Sequence, residues 1–591
     1  MSAPLQVRTT LEAAAGTAGR KAARYLGGIQ ARDGHWCGEI TAADATLESG
    51  YILFQLWLHP PVQGKWIPET RPLIAKAVRA ILATPLPANL DAAIQAYAAL
   101  KLAGLPVTDA RMTQRRQAIL DAGGLPAAGP RLKVCLSLFG LYPPQDCPTI
   151  PPELVLLPFE FLYQIAAWDR TVLVPLSIVQ SLSASRPVPA GFDLEELQAP
   201  QRAATAPSRY ARYIPKSIRR RAIEKAKDWV LDHMRHSDGL AAAYPAMMYS
   251  VMALDALGYP ADDPLRVEAL RQFNSLMVDD GDRFCFQPCF APVWDTACAA
   301  YALGEQSPTD PALPQAAEWL RAREIRRRGD WSRHRQNVEA SGWTLQYSNE
   351  FYPSIDATAM VLLALRQSHA RGTAWLEAMQ SADGGWAAFD AGHTWKLVDR
   401  LSFASRDTSR SDITGRALEA LIAQGVDSGH PTIRRAVKWL VDHQEADGSW
   451  ASPSIYATCF ALRGLAAAGE SDREAHILRA GEWLRAIQNA DGGWGEKTGG
   501  KSTPSQTAWA LLGLIAGGDP NSLSVQHGIE YLLETQLEDG SWPAEAATGA
   551  GFPPGSSFNY LLYKDYFPLM ALSSFVKARA ASTTPIPGVW K

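Results

Sequence analysis

Residues 488–494 read QNADGGW, and the same frame returns as QARDGHW (30–36), QSADGGW (380–386), QEADGSW (444–450) and QLEDGSW (536–542). In each copy Gln precedes Trp by six residues, with Asp-Gly between them. The physical reading is a helix that ends near the Gln, then a tight turn in which glycine supplies a positive φ. The Trp that follows is expected to stack on the Gln amide or on the start of the next helix, tying successive units together. Weaker copies end at Leu240 (MRHSDGL) and at Trp331 (EIRRRGDW).

A second element shares the period. Thr46 precedes Leu53 by seven residues, and the same interval joins Thr296 to Leu303, Thr358 to Leu365, Thr414 to Leu421, Thr458 to Leu465 and Thr507 to Leu514. Runs such as TAWALLGLIAGG from Thr507 are alanine-rich with apolar residues at helical spacing, the pattern of tightly packed buried helices. Each unit reads as an exposed helix, an Asp-Gly turn with Trp, and an inner helix. Stacked about a common axis, such units close into a barrel, and strand-like alternation is weak throughout. The fold expected is all-α, with two α-barrel domains of the α/α toroid type.

At 591 residues the chain is too long for one ordinary core, and two domains of roughly 250 to 300 residues follow. A net charge of −3 gives no electrostatic reason to expect nucleic acid as a partner. The basic runs SIRRRAIEKAK from Ser217 and REIRRRGD from Arg323 read as solvated helix faces. Seven cysteines make no disulfide framework and point to a reducing compartment. FCFQPCF has CxxxC spacing without the second pair that zinc needs, so no metal is expected. The N-terminus lacks the apolar core of a secretory signal, and no stretch reaches the about 18 apolar residues of a membrane span. The nearest approach, Pro152 to Val179, is broken by Pro158, Glu160, Asp169, Arg170 and Pro175, and reads as a core helix pair or a segment dipping into one leaflet.

The Gln-to-Trp repeats resemble the QW motifs of triterpene cyclases, and the resemblance to squalene-hopene cyclases covers nearly the full length. STPSQTAWALLGLIAGG (502–518), YLLETQLEDGSW (531–542), APVWDTA (291–297) and NLDAAIQAYAALKLAG (89–104) are similar to their counterparts there. The resemblance implies two α-barrels with a large apolar cavity between them. The division expected is a segment, 1–25, packed on the catalytic barrel, a second barrel over 26–300, and the catalytic barrel over 301–591. It also implies an apolar polyprenoid substrate, no cofactor, and monotopic attachment to the cytoplasmic face of a membrane through 152–179; a homodimer is among the assemblies to test.

Such enzymes protonate a terminal alkene or epoxide of a polyprene and guide the cation through successive ring closures. Water would quench that cation, so the faces of Trp, Tyr and Phe replace its solvation. Nineteen Trp, eighteen Tyr and seventeen Phe suit such a lining.

In YPSIDATAMVLLAL (352–365) Asp356 is the one acidic side chain of a run that otherwise reads as buried helix. Squalene-hopene cyclases carry DxDDTA at the position of SIDATA. Ser354 and Ala357 therefore stand at the first and third acidic positions, and Asp356 matches the proton donor. Read from the residues alone, Asp356 is an N-cap of the following helix, as Asp295 and Asp412 could be of theirs. The matched position makes it a catalytic acid instead. A plain alkene demands clustered acids, whereas an epoxide oxygen is basic enough for one. SIDATA resembles the single-Asp DCTAE motif of oxidosqualene cyclases, with Ala357 for its Cys and Met360 for its Glu, and an epoxide substrate follows. Against easy acidity, Arg416 replaces the family's helper histidine, and its charge is expected to depress the Asp356 pKa. Three readings of Arg416 stand: pairing with Asp412 one helical turn away, the favoured one, binding an anionic group on the substrate, or a site that is no longer an acid.

Trp168, Trp294, Phe389, Trp494, Phe552, Tyr560 and Tyr563 match aromatic positions that line or border the family cavity. Leu345 and Ser556 stand where the family places cation-stabilising phenylalanines; each lost π-face removes about 1 to 2 kcal/mol from a later cation, which predicts a shorter cascade. Where the family holds terminating water, this chain has Gly50, Gln95 and Tyr244, implying a different terminating group such as an aryl or carboxylate head.

The leading expectation is a class II terpene cyclase in which Asp356 opens an epoxide-terminated polyprene, oxidosqualene-like or meroterpenoid, and makes fewer rings than hopene. The alternatives are a squalene-hopene-type cyclase of an unoxidised polyene with an altered acid motif, and a non-catalytic polyprenoid-binding homologue. The protein-prenyltransferase type of α-barrel needs a zinc site that the sequence lacks.

Overall fold

Each QW frame folds as one hydrogen-bonded clamp. The Trp494 indole N–H donates to the Leu484 carbonyl at 2.8 Å, and its backbone N–H to Thr507 Oγ1 at 3.0 Å. The Gln488 amide donates to the Gly492 carbonyl at 2.7 Å and, at 2.9 Å, to the Ser524 carbonyl at the start of the next outer helix. Trp36, Trp386, Trp450 and Trp542 repeat the indole bond, each to a leucine ten residues earlier. Trp36, Trp386 and Trp450 give their backbone N–H to Thr296, Thr414 and Thr458. The two sequence periods are therefore halves of one device. These bonds tie successive units together, because an indole N–H and a Gln amide must be satisfied once buried. The turn glycines, from Gly34 to Gly540, take φ between 82° and 99°.

One weak copy is reassigned. The clamp between Leu320 and Thr358 is closed by Trp343, whose indole reaches the Leu320 carbonyl at 2.7 Å and whose backbone N–H reaches Thr358 at 2.9 Å. Trp331, the expected residue, lies in the insertion that precedes it and meets Trp375 edge-on. The copy ending at Leu240 keeps the left-handed glycine, Gly239, but offers no indole.

The computed structural model describes residues 3–87, 89–158, 160–198, 214–281, 283–451, 454–544 and 558–583. It divides into two compact units, one of Met1–Glu39, Phe290–His393 and Asp407–Lys591, the other of Ile40–Cys289 with Thr394–Arg406. The divisions fall at 39/40 and 289/290 where 25/26 and 300/301 were expected. The reason is the Trp36 clamp on Thr296 together with the Gly38 N–H, which donates to Asp295 at 2.8 Å and ties 30–39 to the helix that follows Phe290.

In the first unit six inner helices, Pro292–Gln306, Ile355–Leu365, Ser411–Ala423, Ile455–Ala467, Pro504–Ala516 and Tyr563–Thr583, pack in that order, and the last returns to the first. Outer helices Leu313–Arg321, Ala370–Ala378, Pro431–Asp442, Ala475–Ala486 and Leu523–Thr535 alternate with them, and Ala3–Gly28 completes the ring. Gln536 closes the circuit on the Ala18 carbonyl at 3.0 Å.

In the second unit, helices Thr46–Leu58, Leu90–Leu102, Ala167–Ser181 and Tyr244–Ala256 form the buried set, backed by Arg71–Ala83, Ala110–Asp121, Lys216–Arg235 and Pro264–Asn274. Most side chains of Ala167–Ser181 are buried, so this part of the apolar run helps fill the unit's core, while Leu157 stays 44% exposed. No described helix is long and apolar enough to cross a membrane. The strands among the described residues are two or three residues long.

Candidate active site

Every residue of helix Ile355–Leu365 is buried except Asp356, whose side chain keeps 19% of its surface. The cap of this helix is Ser354, which accepts the Ala357 N–H on its Oγ at 3.2 Å. Asp356 is thus not the N-cap, and it borders a cavity instead. Trp294, Phe389, Tyr456, Tyr560 and Tyr563 supply that cavity's aromatic wall, with Leu345 among them. Tyr560 stacks on Tyr563, ring centroids 4.5 Å apart. Phe389 is held by Asp407, which accepts the N–H groups of Ala388, Phe389 and Asp390 at 2.8 to 3.1 Å.

Two ion pairs cross this site. Arg410 grips Asp412 through Nε at 3.1 Å and Nη2 at 3.0 Å. Arg416 donates from Nη1 to Asp356 Oδ1, and from Nη2 to the Tyr456 hydroxyl at 2.9 Å. The expected Arg416–Asp412 pair is therefore replaced by Arg416–Asp356. Gly415 explains why: a Cβ there would lie 2.1 Å from the Phe460 carbonyl, so only glycine lets helices Ser411–Ala423 and Ile455–Ala467 touch. The next side chain, Arg416, is pressed over the rings of Phe460, Trp294 and Tyr456, at 3.8, 4.9 and 5.5 Å from their centroids. Asp295 and Asp412 cap nothing: Asp295 accepts Gly38 N–H and, at 3.3 Å, the Tyr566 hydroxyl, and neither of their helices has a side-chain cap.

Burial raises the Asp356 carboxyl above its ordinary value, and the Arg416 charge opposes that rise without cancelling it. The expected depression by Arg416 is overturned because removal from water is the larger effect. Burial acts on Asp412 too, but the two-pronged Arg410 pair outweighs it and holds Asp412 below its ordinary value. Burial pushes Asp295 up to about 7.

Not every residue singled out in the sequence reaches this cavity. Trp494 serves its clamp, with both N–H groups engaged. Trp168 belongs to the other unit, at the start of helix Ala167–Ser181. Phe552 and Ser556 lie outside the described residues. Ala357 is wholly buried, whereas Ser354 borders the cavity. Gly50, Gln95 and Tyr244 come together within the second unit: the Tyr244 hydroxyl donates to the Leu47 carbonyl at 2.7 Å and the Gln95 amide to the Thr46 carbonyl at 3.2 Å. A Cβ on Gly50 would meet both side chains at 3.2 Å.

Sequence reasoning passed over Arg410, Tyr456 and Phe460. A signal for Tyr456 was present: Trp294, Asp356, Asp412 and Tyr456 each stand two residues before a clamp threonine, and all four border the cavity. Tyr563 keeps the register two residues before Asp565, which accepts the Trp542 N–H in place of a threonine.

The squalene-hopene cyclase N-terminal domain matches residues 20–282 and the squalene-hopene cyclase C-terminal domain residues 290–577. The chain is 34% identical to squalene–hopene cyclase of Zymomonas mobilis over 95% of both chains, and 33% identical to dammaradiene synthase of Dryopteris crassirhizoma over 84% of both. Its fold is that of ent-copalyl diphosphate synthase from Streptomyces platensis, with a TM-score of 0.50 at 17% identity, covering 95% of this chain and 99% of the other. Matched in both domains and aligned end to end with named cyclases, the chain belongs to the squalene-hopene cyclase family of class II terpene cyclases.

Proposed function

We propose that this cyclase acts on a polyprene ending in an epoxide, with Asp356 as its acid. One observation carries the reading: of the two carboxyls bordering the cavity, Asp412 takes both prongs of Arg410 and is held below its ordinary value, whereas Asp356, spared capping by Ser354, takes one Arg416 donor and stays raised by burial. A lone carboxylic acid matches the basicity of an epoxide oxygen better than that of an alkene.

The Asp356 proton passes to the epoxide oxygen as the C–O bond to the more substituted carbon breaks and its electron pair goes to oxygen. The π pair of the neighbouring alkene attacks that carbon and closes the first ring, leaving a hydroxyl and a new cation. The carboxylate left behind is the natural partner of Arg416, whose guanidinium offsets the new charge. Arg416 is fully buried and stands behind the wall, so it acts through Asp356 rather than on substrate. Leu345 on the wall, in place of an aromatic ring, supports a cascade with fewer rings than hopene. The convergence of Gly50, Gln95 and Tyr244, with the Gln95 amide and the Tyr244 hydroxyl bound to backbone carbonyls, supports a terminating group other than water, such as an aryl or carboxylate head. A polyprene of this kind dissolves in lipid, and the exposed Leu157 supports work at the cytoplasmic membrane surface.

The test is incubation of the detergent-purified protein with squalene, 2,3-oxidosqualene and shorter epoxy-polyprenes, including aryl-headed ones, with mass spectrometry of products beside Asp356→Asn. Cyclisation of epoxides only, abolished in Asp356→Asn, is the expected result; cyclisation of squalene moves the enzyme to the unoxidised-polyene reading. The Asp356–Arg416 pair itself favours a second reading, a polyprenoid-binding protein without turnover. That protein would bind these probes equally well before and after Asp356→Asn and convert none.

A further inference from the structure

One charged donor on the cavity wall is left over by the ion pairs. Arg410 is fixed just before helix Ser411–Ala423 by its backbone N–H, which donates to the Trp386 carbonyl at 2.9 Å. Asp412 takes its Nε and Nη2, while Nη1 has no hydrogen-bond partner among the described residues. The side chain is 25% exposed and borders the cavity beside Asp356. Its charge is felt by the Asp356 carboxyl. Asp412 holds the guanidinium by two bonds in one plane, which fixes where the remaining N–H groups point.

A guanidinium N–H on an aromatic wall gains nothing from a hydrocarbon end group, and burying it against one leaves the donor unsatisfied. An oxygen there satisfies it. We infer that Arg410 is the specificity-determining residue that selects an oxygenated polyprene terminus, its Nη1 donating to the oxygen that receives the Asp356 proton. The inference rests on the acid role proposed for Asp356 and deepens it: the same N–H that recognises the epoxide then holds the hydroxyl formed when the ring opens. No atom is transferred to or from Arg410.

The experiment compares binding in the Asp356→Asn protein, where turnover is removed. Dissociation constants are measured by tryptophan fluorescence for 2,3-oxidosqualene against squalene, and for 14,15-epoxygeranylgeraniol against geranylgeraniol. Epoxide should be preferred by about 10- to 100-fold in at least one pair, as for other sites whose buried donor lacks a partner. Adding Arg410→Met with Asp412→Leu, which removes both charges of the pair together, should bring that preference close to one, with thermal melting confirming the fold. A preference that survives the double change overturns the inference. So does equal binding of epoxide and alkene before it, or binding of neither pair. Turnover separates the two claims: epoxide cyclisation that persists in Asp356→Asn sinks the acid role, whereas its loss there alongside an unchanged preference in the Arg410 variant sinks the inference alone.

Discussion

Arg416 Nη1 donates to Asp356 Oδ1 from the rear of the cavity wall, with the guanidinium seated over Phe460, Trp294 and Tyr456. The aromatic faces nearest the acid are thus occupied by a permanent cation before any substrate arrives. A guanidinium stays charged at every working pH, so this helper cannot be titrated away, unlike a histidine in its place.

Replacing Arg416 by Gln should therefore change the pH profile as well as the rate. Arg416 favours the Asp356 carboxylate, so its loss raises the Asp356 pKa further above the ordinary value. The acid stays protonated to higher pH but is weaker. The fall of kcat on the alkaline side should move up in pH while the maximal kcat drops about 10- to 100-fold. A profile unmoved by Arg416→Gln would show that Arg416 is only scaffolding. Arg416→His should add a second titration, with activity lost as the imidazole deprotonates.

The clamps predict stability rather than rate. Thr414→Val removes the acceptor of the buried Trp386 N–H and should cost about 1 to 3 kcal/mol, whereas Thr414→Ser keeps the hydroxyl and should cost less. Urea unfolding of the two variants checks the order; equal losses would mean that the methyl group, not the bond, matters.

Asp295 sets a pH dependence of the fold. Its folded value, about 7, lies above its ordinary value, so the native state holds a proton that the unfolded chain gives up. The stability this contributes is fully present below about pH 4 and is lost as pH rises through 7. Asp295→Asn should therefore flatten the decline in Tm between pH 5 and 8, with its largest relative gain at pH 8. Glu48, also raised to about 7 by burial, keeps its own share in both proteins. A Tm difference independent of pH would remove Asp295 from this role.

The proposed membrane attachment predicts that the protein floats with liposomes and that Leu157→Asp weakens this several-fold, since the exposed leucine gives up burial of an apolar side chain for a charge. No flotation of the unaltered protein would remove the attachment, and flotation unchanged by Leu157→Asp would remove Leu157 from it.

The QW frame and the Thr-to-Leu frame made the barrel readable, because a clamp that recurs must repeat its bonding groups. What they could not give was the bonding itself: that the threonine of one frame receives the tryptophan of the other became clear only when residues 28 apart, such as Trp386 and Thr414, met. Asp356 was legible from its place in an apolar run. Its freedom from capping was not, since that depended on Ser354 taking the Ala357 N–H. The Arg416 partner was misread because an i,i+4 rule ignores neighbouring helices, and Gly415 brings Tyr456 and Phe460 within reach of that side chain. Arg410 stands in a repeated register too, four residues before its clamp threonine and bonded to the clamp Trp386, as Ser354 is to Trp343; but Ser354, Ser454 and Thr503 hold that place elsewhere, and nothing in the repeat foretells a guanidinium there.

The closing bond of the ring, from Gln536 to Ala18, joins residues 518 apart in the chain. On the ribosome, helix Ala3–Gly28 is made early and its neighbours Leu523–Thr535 and Tyr563–Thr583 late, at the slow pace of translation. Through that interval one flank of the nascent barrel waits without its final contacts, and the apolar faces meant for it stay open to chaperones and to other nascent chains. The bond that completes the circle is also the one that makes assembly of this protein depend on its last helices.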